Sequence, residues 1–313
     1  MTSVHESVFL KEAVEGLNVV PGDIIVDATI GGAGHYGALL QKLEHEGLLI
    51  GIDADPEAVE RGKEIAGTSE GVRAEVVLGN FRDLDRILDE LQVETISGAL
   101  FDLGWSSYHL TSGRGFSFRV EEPLLMTYGT PEMGKTAADV VNSATEETLS
   151  DILHSLGEER FARQIARGIV RIRSKERILT TTALADAVIA STPEWYHGRR
   201  IHPATKTFQA LRMYVNDELG ALREGLQSAM KRLSVGGRIA VITFHSLEDR
   251  VVKTMFRDGA HGGFGTVITK KPIEPSITER TQNPRARSAK LRIFERLEGG
   301  TSSLTHFATY AYA

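Results

Sequence analysis

Glycines, acids and a histidine follow the first apolar run of the sequence in an order suited to a nucleoside cofactor: Asp27-Ala-Thr-Ile-Gly-Gly-Ala-Gly-His35, with Gly32, Gly34 and Gly37 spaced as in the dinucleotide fingerprint. Glycines let backbone approach a ligand at a helix N-terminus, and an acid about 20 residues further on accepts hydrogen bonds from ribose hydroxyls. Asp53, in Gly51-Ile-Asp-Ala-Asp-Pro56, is that acid. The loop alone fits NAD and S-adenosylmethionine equally. The methyl donor is favoured by Asp27 ahead of the glycines, Phe81 after the third apolar run and Asp102 after the fourth. Together these surround an adenosine with polar and stacking partners. Phe81 reads equally well as core packing, and His35 as a helix-cap residue on the surface.

Asp102 opens Asp102-Leu-Gly-Trp105, where amino methyltransferases place an Asp or Asn that contacts the target amine. The prolines usual in that motif are missing. A carboxylate there can stabilise positive charge developing on a nitrogen. The sequence leaves open whether Asp102 serves the donor, the amine or both. His245, after a later apolar run, either contacts a base or positions backbone, while Ser246 and Asp249 read as a helix N-cap and N3 pair. Gly129-Thr-Pro-Glu-Met-Gly-Lys-Thr136 satisfies the phosphate-loop expression but follows Glu121-Glu-Pro-Leu124 rather than a core strand, so it is rejected. No metal site is expected: cysteine is absent, His5-Glu6 lacks a second histidine, and His197 and His202 flank Arg199-Arg200 without further ligands.

The elements that must position these residues follow from hydrophobic patterning. Apolar runs at residues 23–30, 48–52, 74–78 and 96–103 alternate with amphipathic stretches, a βαβ rhythm that predicts a parallel sheet. Residues 111–203 carry no convincing buried strand but helical patterns over 137–156, 159–172 and 182–190. A long helix then runs through Phe208, Leu211, Val215, Leu219, Leu222 and Leu226 to Leu233 as one apolar stripe, ended by Gly236-Gly237. A strand over 238–244 and apolar stretches at 266–269 and 291–297 complete about seven strands. The expected division is a first sheet segment over 1–107, a helical insert over 108–208 and a second sheet segment over 209–313.

Bulk composition adds limits. With 313 residues and 41% hydrophobic content the chain can build a large core, and no window reaches the roughly 20 apolar residues of a membrane span. The lack of cysteine and of a leader pattern makes cytoplasm the expected compartment. Net charge is -6, so any nucleic-acid face must be local. Arg160, Arg163, Arg167 and Arg171 step along one predicted helix with few interleaved acids, which favours a phosphate-binding face over a merely solvated one. Residues 250–296 add eleven Lys or Arg against four acids. Competing readings are a nicotinamide-dependent oxidoreductase on the glycine loop and a non-catalytic RNA-binding assembly protein.

Longer motifs go further. The chain resembles the RsmH (MraW) family of ribosomal RNA methyltransferases from His5-Glu-Ser-Val-Phe-Leu10 to Asn283-Pro-Arg-Ala-Arg-Ser-Ala-Lys-Leu-Arg292. Between them lie Gly115-Phe-Ser-Phe118, Gly157-Glu-Glu-Arg160, His202-Pro-Ala-Thr-Lys-Thr-Phe-Gln-Ala-Leu-Arg212, Val215-Asn-Asp-Glu-Leu219 and Phe244-His-Ser-Leu-Glu-Asp-Arg250. The resemblance implies an α/β fold, a class I (Rossmann-like) methyltransferase sheet with an inserted all-helical domain. It implies S-adenosylmethionine as methyl donor, held by Ala33, Gly34, His35, Asp53, Phe81, Asp102 and His109. It implies the N4 amine of a cytidine in 16S ribosomal RNA as acceptor, within the small ribosomal subunit, with a homodimer left open. Asp102 and His245 are then the catalytic candidates, and Arg163, Arg167 and Arg171 the RNA contacts. Ala33 stands where the family carries glycine, which requires a negative φ there, and His109 stands where it carries glutamine. Leu124-Leu-Met-Thr-Tyr128 replaces a run with an acid and an arginine.

Overall fold

In the computed structural model, which describes residues 7–44, 46–68, 71–104, 108, 110, 112–129, 134–198 and 201–299, the apolar runs become strands of one sheet. His5, Glu6, Trp105, His109, Arg199 and Arg200 lie outside the described residues, as does the middle of the 129–136 run. The strands are β1 (Ile24–Asp27), β2 (Leu48–Asp53), β3 (Arg73–Leu78), β4 (Ile96–Asp102), β5 (Leu233–Thr243), β6 (Gly265–Val267) and β7 (Lys290–Arg296). Their order is β3-β2-β1-β4-β5-β7-β6. Pairs among β1 to β5 are parallel, and β7 is antiparallel to both its neighbours. This is the class I sheet that the resemblance implies.

The chain divides into two compact units, residues 1–105 with 219–313, and residues 106–218. In the first, successive strand residues face opposite layers, so each central strand is apolar throughout. Val26, Ile50, Phe101 and Val241 pack in one cluster with Leu222, Leu226 and Met230 of α11 (Glu218–Arg232) and with Val252 and Phe256 of α12 (Ser246–His261). Ile25, Leu49, Leu100 and Ala240 pack in the other with Leu17 of α1 (Leu10–Leu17) and Tyr36 and Leu39 of α2 (Gly34–Lys42). The helices α3 (Pro56–Ala66), α4 (Leu84–Glu90) and α13 (Ile277–Gln282) complete this unit. Gly51 in β2 is required by that packing, because a Cβ there would lie 2.6 Å from the Tyr36 ring and 2.9 Å from Ile30.

The second unit is helical: α5 (Ala137–Ser143), α6 (Glu146–Ser155), α7 (Ala162–Arg173), α8 (Thr181–Ala190), α9 (Glu194–His197) and α10 (Thr205–Val215). The helix predicted over 137–156 is two helices, because Ala144 turns extended and Thr145 starts a new helix by accepting from the Thr148 amide. Thr136, from the rejected phosphate loop, closes a capping box with Asp139. Among the described residues, no helix is long and apolar enough to cross a membrane.

The long helix through Phe208 and Leu233 is also two, and this moves a boundary. α10 ends at Asn216, Asp217 takes φ 45°, and α11 starts afresh at Glu218. Asn216 Nδ2 donates to the Met126 carbonyl at 2.7 Å and its Oδ1 accepts from the Tyr128 amide at 3.0 Å. Arg212 grips Glu218 through Nε at 2.7 Å and Nη2 at 2.8 Å, and the Tyr128 hydroxyl donates to Glu218 at 2.9 Å. Those bonds hold residues 209–218 in the helical unit, so the sheet unit resumes at Leu219 instead of at residue 209. Gly236-Gly237 does not end the helix either. α11 stops at Arg232, and the glycines sit in β5 where its pairing with β4 shifts register.

The Arg212–Glu218 pair is about nine-tenths buried on both sides. Removing one partner of such a pair strands the other charge. Arg212→Met should therefore cost about 3 kcal/mol, the lower end for a broken buried pair. Urea unfolding followed by circular dichroism measures it, and an unmoved midpoint would mean that the pair contributes nothing.

Candidate active site

Three neighbouring strands, β2, β1 and β4, end in acids, Asp53, Asp27 and Asp102. Consecutive connections leave β1 toward β2 and β3 on one side and toward β4 and β5 on the other, so the carboxyl edge between β1 and β4 is the switch point where open α/β sheets bind ligands. Thr29 ties the two strand ends together: its amide donates to Asp27 Oδ1 at 3.1 Å, and its hydroxyl accepts from the Asp102 amide at 2.7 Å.

The glycine loop leaves β1 and is held from β2. Asp53 Oδ2 accepts from the Gly31 amide at 2.8 Å and Oδ1 from the Asp55 amide at 2.9 Å, while Arg61 Nε donates to the Gly31 carbonyl at 3.0 Å. Burial raises the Asp53 pKa to about 6 despite those amides. Each oxygen keeps a further lone pair for a ligand hydroxyl. At Gly34, the first residue of α2, a Cβ would come within 2.2 Å of Ser7 Oγ, so a side chain there would have to turn that hydroxyl aside.

Ala33 departs from expectation. Its φ is 61°, left-handed, where a negative angle is expected of a residue replacing glycine. The turn into α2 needs that conformation, and the Ala33 amide is fixed there by a 2.7 Å bond to the Ile30 carbonyl. An L-residue there carries roughly 1–2 kcal/mol of strain.

His35 lies on the buried side of α2, 3% exposed, and is no surface cap. Its Nε2 lies 3.1 Å from the Val8 carbonyl and its Nδ1 3.4 Å from Asp102 Oδ2. Burial opposes charge on the ring, but the Asp102 carboxylate outweighs it and the His35 pKa is raised. Asp27 is fully buried; burial lifts its pKa to about 7, and His35 offsets only part of that. Asp27 Oδ2 and Asp102 Oδ1 are buried acceptors with no hydrogen-bond partner among the described residues.

Phe81 follows β3 in a short 3-10 turn, Phe81–Asp83, and is half-buried. Its ring meets Phe101, the neighbour of Asp102 in β4, edge-on at 5.6 Å. Packing alone accounts for that contact and leaves part of the ring accessible.

His245 starts α12 in place of Ser246. Its Nδ1 accepts from the Glu248 amide at 3.4 Å, and Glu248 Oε2 accepts in return from the Phe244 amide at 2.8 Å and the His245 amide at 3.3 Å. The capping box thus falls one residue earlier than predicted, with Glu248 at N3. Asp249 instead binds Arg292 at 2.6 Å and Lys290 at 2.8 Å, pinning α12 to β7. His245 Nε2 faces Glu248 Oε1 at 3.1 Å, so both ring nitrogens face the cap. In the sheet Asp102 pairs with Ile242, and His245 lies three residues beyond it on the same edge.

The arginines divide. Arg163, Arg167 and Arg171 are exposed on α7, with Arg167 Nε 3.3 Å from Glu146. Arg160 precedes α7 and belongs to no helical row; its guanidinium lies over Phe161 at 5.3 Å and Trp195 at 5.4 Å. Much of the basic charge in 250–296 is internally bound, as Arg257 with Asp258 and Arg280 with Glu274. The α7 row is therefore the better candidate for a nucleic-acid face. The sequence points to Asp27 as one of the groups around the adenosine but gives no sign of Thr29, whose bonds to both strand ends appear only in the fold.

Among known proteins, the chain is 45% identical over 310 residues to a ribosomal RNA small subunit methyltransferase H of Syntrophotalea carbinolica, covering 94% of this chain and 98% of that one. It is 47% identical over 295 residues to the protein of the same name from Deinococcus deserti, covering 94% of each. A solved rRNA methylase of Streptococcus thermophilus superposes with a TM-score of 0.42 at 14% identity, over 92% of this chain and 95% of that one. The family model described as MraW methylase family matches residues 2–297, and the chain belongs to that family.

Proposed function

We propose that this protein is an S-adenosylmethionine-dependent methyltransferase acting on the N4 amine of a cytidine in 16S ribosomal RNA. The observation that carries the reading is the pair of unpartnered buried carboxylate oxygens, Asp27 Oδ2 and Asp102 Oδ1, on adjacent strand ends in a chain of this family. A donor bearing an ammonium and a sulfonium suits a crevice edged by three carboxylates. The pyrophosphate of NAD does not.

When bound, S-adenosylmethionine supplies a methyl group on sulfur whose departure leaves a neutral thioether, so alignment of the reactants does most of the work. In this reading the loop around Ala33 and Gly34 brings backbone against the donor, and the free lone pairs of Asp53 accept the ribose hydroxyls. Phe81 borders the adenine, and His109 completes the donor set. The N4 lone pair of cytosine is delocalised into the ring. The Asp102 carboxylate accepts an N4 hydrogen, favours a pyramidal nitrogen and stabilises the charge that develops there. It also receives the proton that the methylated nitrogen sheds. His245 keeps the corner between β5 and α12 in place at the same edge.

The relatives' names support small-subunit ribosomal RNA as the substrate. Nucleoside mass spectrometry of small-subunit RNA treated with enzyme and donor should find N4-methylcytidine. Methyl on ribose would overturn the proposal, and so would methyl on carbon five, which needs a cysteine nucleophile that the chain lacks.

Arg163, Arg167 and Arg171 are proposed to contact phosphates. Replacing all three by glutamine should lower the slope of log affinity against log salt by about 2, taking roughly 0.7 per contact with single strands. Donor binding should not move. A wild-type slope would return α7 to the status of a solvated face.

A further inference from the structure

His35 has a proton problem whose solution follows from its two neighbours. The Val8 carbonyl can only accept, so the nitrogen facing it at 3.1 Å, Nε2, carries hydrogen. In a neutral ring Nδ1 would then be a bare lone pair aimed at a carboxylate oxygen 3.4 Å away, two acceptors in contact inside a site only 3% exposed. One proton must lie between them. We propose that His35 is held as an imidazolium that fixes Asp102 through Oδ2, making it a positioning residue that holds the Asp102 carboxylate in one orientation for the target amine.

The surroundings support that state. Among the described residues, Asp102 from β4 and Asp27 from β1 are the titratable groups that act most on the ring, both acids, and Val8 adds a carbonyl. Asp102 Oδ1 is the oxygen left without a partner, so the pair is asymmetric by construction. With the ring charged, Asp102 keeps one rotamer, and the orientation of its carboxylate toward a cytosine amine is predetermined. The role toward the amine rests on the methyltransferase reading above; the shared proton rests on the two distances, and its place on the ring on the two acids that face it.

Nitrogen-15 NMR of the histidine side chains in the full-length protein tests the protonation state without any turnover. At about pH 8, more than a unit above the ordinary histidine value, both ring nitrogens of His35 should carry protons. A neutral ring protonated only at Nε2 would overturn the proposal even if methylation of N4 were established.

Kinetics tests the positioning role. His35→Asn puts a neutral amide donor where Nδ1 stands, whereas His35→Ala removes it. The expected result is a single-turnover rate at saturating donor lowered about 100-fold in His35→Ala and about tenfold in His35→Asn, taking the loss of one preorganised contact as the guide. The alkaline fall in rate, where the imidazolium loses its proton, should be missing from His35→Asn. An unchanged alkaline limb in that variant would assign it to another group and overturn the positioning role. If neither variant folds, the NMR result on the wild-type protein decides.

Discussion

Asp102→Ala should lower the single-turnover rate at saturating donor by about 100- to 1,000-fold, the usual effect of removing one preorganised group aimed at developing charge. Asp102→Asn keeps a carbonyl for the N4 hydrogen but gives up the negative charge, so a loss of about tenfold is expected for it. The structure adds a second cost to the Asn variant, since His35 loses the anion 3.4 Å away that favours its charge. The two substitutions also separate the roles of the carboxylate. If Asp102 acts on the amine, the saturated rate falls and donor affinity changes little. If it acts mainly on the donor, affinity falls and the rate returns at high donor concentration. Rapid-quench assays with calorimetry in parallel distinguish these outcomes, and a wild-type rate in Asp102→Ala would remove Asp102 from the chemistry.

Asp27→Asn should stabilise the donor-free protein while weakening donor binding. Burial moves the Asp27 pKa from 3.8 in the unfolded chain to about 7 in the folded one, so the folded state binds the extra proton between those values. A raised carboxylate pKa makes this contribution most favourable below about 4; stability is lost as pH rises toward 7 and is flat beyond. At about pH 8 the wild-type protein holds a buried anion, and removing it should gain up to about 4 kcal/mol, from 1.36 kcal/mol per pKa unit. At about pH 4 the two proteins should be equally stable. Denaturation midpoints across that range measure the difference, and parallel pH curves would show that Asp27 is ordinary. Wild-type donor affinity should itself weaken below about pH 7, because a cationic donor favours the ionised acid and must displace its proton. A site that is destabilising when empty and favourable when filled is a recurrent stability–function trade-off.

Much of this was legible in the sequence, for reasons particular to each element. β1, β2 and β4 are buried on both faces, so continuous apolar runs ending in acids identified both the strands and the crevice. The break at Asn216–Asp217 was hidden because the apolar stripe stays in phase across it. The left-handed Asp217 and the bonds from Asn216 to Met126 and Tyr128 mark the break. Hydrophobic periodicity does not register such tertiary anchors. Ala33 misled because its composition implies an ordinary φ, while the loop imposes a left-handed one. The helix cap at His245 was missed by one residue: serine is a common N-cap, and an imidazole accepting from a backbone amide has no compositional cue. His35 could be seen as important, but its burial, and with it the proton shared with Asp102, depends on α2 packing beneath Val8.

The place of β7 has a consequence for biosynthesis. β7 lies between β5 and β6, yet both of its neighbours are translated before it. While the chain is growing, β5 therefore presents an open edge of unpaired amides and carbonyls, along the register from Arg238 to Thr243 that β7 later covers. Such an edge is a template for pairing with another nascent chain. The Asp249 carboxylate that later receives Lys290 and Arg292 is likewise without those partners until then. A chain that ends before Lys290 keeps that edge open, so synthesis of the last strand is what closes the sheet against pairing with other chains.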